Sequence, residues 1–436
     1  MRFLFLLFLL LWGFEPVLAQ GSKTQSSSLH FVYGSSGANI LDFNDMLAHK
    51  GISPLRKGYN SYGMAYQSRF NDFILGVELI HNNGPTSGFR EYEIDYRSSR
   101  LYSSIGYSFT ESNQRIQLIH YMSLGVGYLN FEMMRDMGDK TFPEFLNSPG
   151  HGFIIKQNDL HKGSWNLGGF LTEIGFQLGY DFPLPGAEES MEIVTKFGYS
   201  FSPFENAWNN KGMAFDNIQS GAFLRVGVGI TLQDQNYFYR DATLGIHFFY
   251  GKHFSRPNDL NNHLVAAGLN PLSELPSNMG IKIIGENRGR IYGLDFFNVS
   301  QFGNANEMYD HTLNSIRIYG NIGHKLYEGN KLEFGFLGGL GFANVGYTLE
   351  NLNKPDFPSL FEEPDFDGYI SDGGLVTKPE LFLAYVMPIS RQHIFDLVYS
   401  FHTGYELPLN KYFLADLDMT SYISGPYLHF SVGIRP

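Results

Sequence analysis

The segment from Asp356 to Asp372 sets Glu362, Glu363, Asp365, Asp367 and Asp372 close to Gly368, Gly373 and Gly374. Closely spaced carboxylates on flexible backbone are the hard oxygen donors that Ca²⁺ takes. The spacing is not that of a twelve-residue calcium loop, so a solvated acidic loop is the plainer expectation, with Asp365, Asp367 and Asp372 as the only metal candidates. His30 and His247 occupy matching places in the chain, but two histidines so far apart do not make a metal centre. The glycine run Gly338-Gly339-Leu340-Gly341 continues into alternating sequence, whereas a phosphate-cradling loop leads into a helix. No Ser, His and acid set can be assembled, which argues against an enzyme. No cofactor is implied.

Three further charged residues gain meaning from the strands that carry them. Ala222, Leu224, Val226, Val228, Ile230 and Leu232 alternate with Gly221, Phe223, Arg225, Gly227, Gly229 and Thr231. At the end of the chain Leu428, Phe430, Val432 and Ile434 alternate with Tyr427, His429, Ser431, Gly433 and Arg435. Period two with one wholly apolar face suits a strand that has lipid on one side and a polar lumen on the other. Arg225, His429 and Arg435 then point into the lumen, where they either attract anions or pair with Asp and Glu of neighbouring strands.

Composition agrees with such strands. There are 49 glycines, 40 Phe and 27 Tyr in 436 residues, and charged residues make up 17%, a balance that fits β-structure with aromatic belts rather than a disordered or coiled-coil chain. The formal charge of −12 argues against nucleic acid as partner. With no cysteine there is neither a disulfide scaffold nor a lipid-bearing thiol. Arg2, the apolar run Phe3 to Phe14 and the small-residue site Val17-Leu18-Ala19 read as a signal peptide over 1–19. No later stretch is apolar for the roughly 18 residues a transmembrane helix needs.

The chain also repeats itself. His30-Phe31-Val32-Tyr33-Gly34 returns 217 positions later as His247-Phe248-Phe249-Tyr250-Gly251, and Gly51-Ile52-Ser53-Pro54-Leu55 returns as Gly268-Leu269-Asn270-Pro271-Leu272. The expected organisation is a short tail over 20–28, a first repeat over 29–232, a connector over 233–241 and a second repeat over 242–436, each repeat with about eight strands. The first long loop of each repeat has helical spacing. Asn44 is the expected cap of a helix through Leu47 to Gly51 with Pro54 beyond, and Asn261, Leu264, Gly268 and Pro271 are its counterparts. Such helices either constrict a lumen, meet a partner, or simply cover the mouth of a barrel.

Short turns alternate with long loops along both repeats, the anatomy of an outer-membrane barrel with turns in the periplasm. A sheet in hydrocarbon has to close, because lipid offers its edges no hydrogen bonds. The expected fold class is therefore an all-β transmembrane antiparallel barrel. One barrel of about 16 strands is favoured over two of eight, because the connector Asn236-Tyr237-Phe238-Tyr239 suits a turn better than a flexible linker.

The leader, the aromatic alternating strands and the run from Tyr427 to Arg435 resemble the outer-membrane barrel proteins of Bacteroidota, although Pro436 stands where the usual assembly signal ends in Phe or Trp. That resemblance implies an integral outer-membrane protein with periplasmic termini. Its implied partners are outer-membrane lipid, the barrel-insertion machinery and, in an assembly, other outer-membrane proteins. The short tail leaves no room for the plug of a TonB-dependent transporter. Porin-like passage of small polar solutes is the expected function, and a non-channel subunit of a secretion or barrel-assembly complex is the alternative.

Overall fold

The computed structural model describes residues 25–70, 72–84, 87–110, 114–156, 169–183, 189–202, 219–234, 242–255, 257–272, 275–287, 289–304, 306–388 and 396–435. The expected signal peptide over 1–19 and most of the expected connector over 233–241 lie outside them. The first repeat comprises strands β1 (Gln25–Gly37), β2 (Gly58–Phe70), β3 (Phe73–Asn83), β4 (Ser87–Phe89), β5 (Tyr92–Ser108), β6 (Ile116–Arg135), β7 (Gly152–Lys156), β8 (Gly169–Pro183), β9 (Glu189–Phe201) and β10 (Gly221–Asp234). Helix α1 (Leu41–His49) follows β1 and α2 (Phe142–Asn147) follows β6.

The second repeat comprises β11 (Ala242–His253), β12 (Ser277–Asn287), β13 (Arg290–Phe302), β14 (Tyr309–Glu328), β15 (Leu332–Asn351), β16 (Gly368–Pro388), β17 (Asp396–Pro408), the short β18 (Phe413–Leu414) and β19 (Leu417–Asp418), and β20 (Gly425–Arg435). Its helices are α3 (Asn258–Ala266), α4 (Phe357–Leu360) and α5 (Thr420–Ile423).

A single barrel of about sixteen strands is overturned by the pairing at the repeat ends. β1 pairs antiparallel with β10, from Gln25 opposite Asp234 to Ser36 opposite Phe223, and β5 pairs with β6, so the first eight long strands close on themselves. β11 pairs with β20, from Ile246 opposite Ile434 to His253 opposite Tyr427, closing the second barrel over its own eight strands. In one large barrel β10 would have paired with β11 and β1 with β20. Alternation of faces is satisfied by either closure, so it does not choose between them. The connector argument rested on Asn236-Tyr237-Phe238-Tyr239, which lie outside the described residues.

The walls follow the alternation. Leu224, Val226, Val228 and Ile230 are exposed while Phe223, Arg225 and Thr231 are buried, and Leu428 and Phe430 stand outside with Tyr427 and His429 inside. A spanning strand needs about 9–11 residues, and β14, β15 and β16 run to 20, 20 and 21. Their excess lengthens the wall toward the long loops. The outer wall of barrel one turns polar there, where Arg97 meets Asp95 at 3.3 Å and also Glu132.

The two barrels touch through Leu29, Tyr66 and Val77 on one side and Ile246, Ile281 and Ile283 on the other. Leu29 and Ile246, and Tyr66 and Ile283, are the same places in the two repeats. One surface patch thus meets its own copy, the geometry of a twofold dimer interface within a single chain.

Candidate functional site: two filled lumens under an exchanged loop rim

An eight-stranded barrel is just wide enough for its own side chains, and both lumens are filled by ion pairs. In barrel one the Arg225 guanidinium donates to Glu173 at 2.6 and 3.0 Å and to Glu78 at 3.3 Å. Lys196 completes the group at 2.5 Å from Glu78. Nearer the turns, Glu192 faces His30 at 2.8 Å and accepts from Thr231 at 2.9 Å. Ions this deep are tolerated only when paired, because the solvation they lose has to be replaced.

Barrel two reaches the same end with different residues. Lys282 lies 2.7 Å from Asp295 and 3.1 Å from Glu380, and Lys378 bridges the same two acids. Glu380 also meets His402 at 2.6 Å and accepts from the Tyr427 hydroxyl at 2.6 Å. Toward the turns, Arg435 and Lys325 share Glu286 and Glu333 over 2.6 to 3.1 Å. Of the expected lumen residues, Arg225 is engaged by two carboxylates and Arg435 by three, the third being Asp396 at 3.8 Å. His429 instead hydrogen-bonds Asn278 at 3.0 Å and stacks on Phe249 and Tyr427. The structure does not bring the three together, since Arg225 lies in the other barrel.

The loop helices form, with one correction. α1 starts at Leu41 and α3 at Asn258, so Asn44 and Asn261 lie inside their helices and cap neither. Each side-chain amide works instead as a clip across its loop: Asn44 Nδ2 donates to the Leu55 carbonyl at 2.8 Å, and Asn44 Oδ1 accepts from the Leu55 N–H at 2.9 Å. Asn261 repeats both bonds with Leu272 at 3.3 and 2.8 Å. Gly51 and Gly268 end the helices at φ 75° and 77°, where a side chain would be strained. Leu47 and Leu264 are wholly buried, while Pro54 and Pro271 sit exposed before the clipped leucines. The helices pack into the mouths of their own barrels.

The other half of each lid comes from the opposite repeat. α2 leaves barrel one and buries Phe142, Phe145 and Leu146 in barrel two among Leu260, Leu264, Val345 and Tyr347. α4 leaves barrel two and buries Phe357, Leu360 and Phe361 in barrel one among Phe43, Phe131 and Phe153. Phe357 stacks on Phe43 at 6.1 Å and Phe142 meets Tyr347 edge-on at 5.8 Å. The sequence signal that would have revealed the exchange is the Phe142-Pro143 pair returning as Phe357-Pro358. It is short, and it sits inside loops whose lengths differ.

Polar contacts seal the seam between the exchanged loops, and they occupy the acidic segment. Asp365 meets Arg135 at 2.6 Å and accepts from the Tyr92 hydroxyl at 2.8 Å. Asp367 is fully buried, accepting from the amides of Ile154 and Asn351 at 2.7 and 2.8 Å and pairing with Lys354 at 2.8 Å. Burial pushes its carboxyl above the usual range, with Lys354 and the Ile154 amide opposing. Asp372 accepts from the amides of Gly373 and Phe413, both at 2.7 Å. The three acids do not converge, and no group of three possible ligands gathers among the described residues. At α2, Glu144 accepts from the Thr141 amide and hydroxyl, both at 2.9 Å, and these bonds hold its carboxyl below the usual range.

No family model and no curated protein matches the chain. Among solved structures it is similar to the toluene transporter TodX of Pseudomonas putida, at 11% identity over 96% of this chain and 90% of that one, with a TM-score of 0.24. The CymD monoaromatic hydrocarbon channel gives 12% identity over 95% and 89%, with a TM-score of 0.21. A FadL homologue of Pseudomonas aeruginosa gives 9% over 95% and 90%, with a TM-score of 0.20. Scores this low carry no inference about fold or function. The strand pairing itself is decisive on the fold: the chain is a closed eight-stranded antiparallel barrel, built twice.

Proposed function

We propose that the protein is an integral outer-membrane twin barrel, with its turns and both termini on the periplasmic side, that does not conduct and acts as a membrane-held subunit of a larger assembly. The observation that carries this reading is the double closure: each lumen is filled by paired charges, and each mouth is covered by a helix of its own repeat and a helix of the other. A pore would need neither. The exchanged loops make one continuous platform on the long-loop side, and a platform held by buried aromatics is suited to holding another outer-membrane protein. The Bacteroidota-type resemblance of the terminal strand belongs to this proposal, as does the absence of enzymatic chemistry.

Insertion of the purified protein into planar bilayers tests it. The expected record is silent, with co-purifying membrane proteins recovered after mild crosslinking. Steady ohmic steps would overturn it in favour of porin-like diffusion. That second reading draws on a cavity at the turn end of barrel two, where Ser400, His247 and His402 line a recess behind Glu286, Glu333 and Arg435. Passage through it would require the Lys282, Lys378, Asp295 and Glu380 cluster to part.

A further inference from the structure

Beside the line where the barrels touch, their walls diverge into a cleft lined by Met64, Tyr66, Val77 and Leu79 on one side and Ile246, Ile281, Ile283, Leu294 and Phe296 on the other. The lining is apolar apart from the Tyr66 hydroxyl, which bonds Ser68 at 2.8 Å. Met64 pairs with Leu79 and Tyr66 with Val77 across the β2–β3 hairpin, as Ile281 pairs with Phe296 and Ile283 with Leu294 across β12–β13. The same four positions of each repeat therefore face each other across the cleft, which continues the established contact between barrels.

Its depth follows from the register. Tyr66 and Val77 stand four residues from the hairpin ends Phe70 and Phe73, and Met64 and Leu79 stand six. At ~3.3 Å per residue and a tilt of about 40°, that is about 10 to 15 Å above the turn rim, which is the half of a ~30 Å hydrocarbon core on the turn side. Beneath it, on the same outward face of β13 as Tyr292, Leu294 and Phe296, stands Arg290, exposed at the first residue of the strand. The guanidinium has no carboxylate partner among the described residues. Apolar cleft above and unpaired cation below match the two ends of one molecule.

From this arrangement we infer that the cleft holds a phospholipid of the turn-side leaflet, one acyl chain lying between the hairpins and the phosphate on Arg290. Convex walls that diverge inside hydrocarbon leave a groove that only a chain can fill, and a guanidinium at the interface pairs bidentately with phosphate. The inference rests on the membrane-embedded reading above. The two fail differently: a chain that never enters the membrane fraction sinks both, whereas an inserted chain that keeps no lipid sinks only this one.

Native mass spectrometry of the detergent-purified full chain, with extracted lipid identified separately, tests it. The wild type is expected to retain one phospholipid. Leu79→Trp fills the cleft outside the contacting residues and is expected to abolish retention. Leu383→Trp, on the far wall, is expected to leave it intact. Arg290→Gln, which disturbs no packing, is expected to lower occupancy about tenfold, the loss of one charge-assisted contact. A heat-modifiable gel shift confirms that each variant is folded, and if Leu79→Trp fails to fold, Arg290→Gln decides. A wild type free of phospholipid, lipopolysaccharide as the retained lipid, or undiminished phospholipid in a folded variant of the cleft or of Arg290 overturns the inference.

Discussion

The two lumens have the same inventory at mid-height, two cations and two acids, but only one of the four positions is shared. Through the strand registers Glu78 of barrel one corresponds to Asp295 of barrel two, and that acid keeps its place. The other positions change: Glu173 corresponds to Lys378, Lys196 to His402 and Arg225 to His429, while Lys282 and Glu380 appear where barrel one has Ala65 and Gly175. What is held constant is neutrality of a packed lumen rather than any single pair. Charges can migrate between strands of a closed barrel because every strand faces the same small space. An unpaired ion there is costly wherever it starts.

The largest test of this comparison removes the same position from both barrels. Arg225→Leu leaves Glu173 and Glu78 with Lys196 alone and is expected to cost about 3–5 kcal/mol, as for other broken buried pairs. His429→Leu removes one neutral hydrogen bond to Asn278 and is expected to cost about 1–2 kcal/mol. Unfolding in micelles, followed by the gel shift, measures both. Equal losses would break the comparison.

Next come the exchanged lids. Phe357→Ala in barrel one's lid and Phe142→Ala in barrel two's lid each empty a fully buried aromatic site and are expected to cost about 3 kcal/mol. The telling readout is crossed. Each substitution should open the mouth of the barrel opposite its own repeat, seen by mapping protease cuts on intact cells.

A smaller effect separates the two lids by pH. Glu144 has a folded value below its unfolded one, so its contribution is present above the unfolded value and is lost as pH falls through the folded one. Asp367 has a folded value above its unfolded one, so protonation favours the folded seam around it. Its stability falls as pH rises from the ordinary carboxylate range through the raised value. Acidification should therefore expose the α2 segment to an acid-tolerant protease while protecting the α4 segment, and Asp367→Asn should flatten the second trend. Smallest of all, Lys50→Ala breaks the exposed pair with Glu362 at 3.0 Å and should shift stability by no more than about 0.5 kcal/mol.

Much of the barrel architecture was legible because its determinants are local. Alternation in 221–231 and 427–435 identified faces residue by residue, and Gly51 and Gly268 marked helix ends through a backbone angle that glycine tolerates. Asn44 misled because an asparagine near a helix start reads as a cap, and nothing nearby shows that its amide reaches Leu55. Closure was illegible for a deeper reason: whether β1 meets β10 or β20 changes no residue's face. The candidate site divides along the same line. Arg225 and Arg435 were legible as lumen residues, but their acidic partners come from strands remote in sequence, and α2 and α4 cross to surfaces that no periodicity announces.

The crossing of α2 and α4 also imposes an order on biogenesis. When β10 joins β1 the first barrel is complete as a wall, yet the helix that belongs in its mouth has still to be threaded to the far side with the second barrel, and α2 waits without a receptor. Neither rim can settle before both cylinders are in place. Any intermediate with only the first barrel closed therefore carries aromatic surface exposed at its long-loop rim, and the finished molecule locks in one terminal event rather than two.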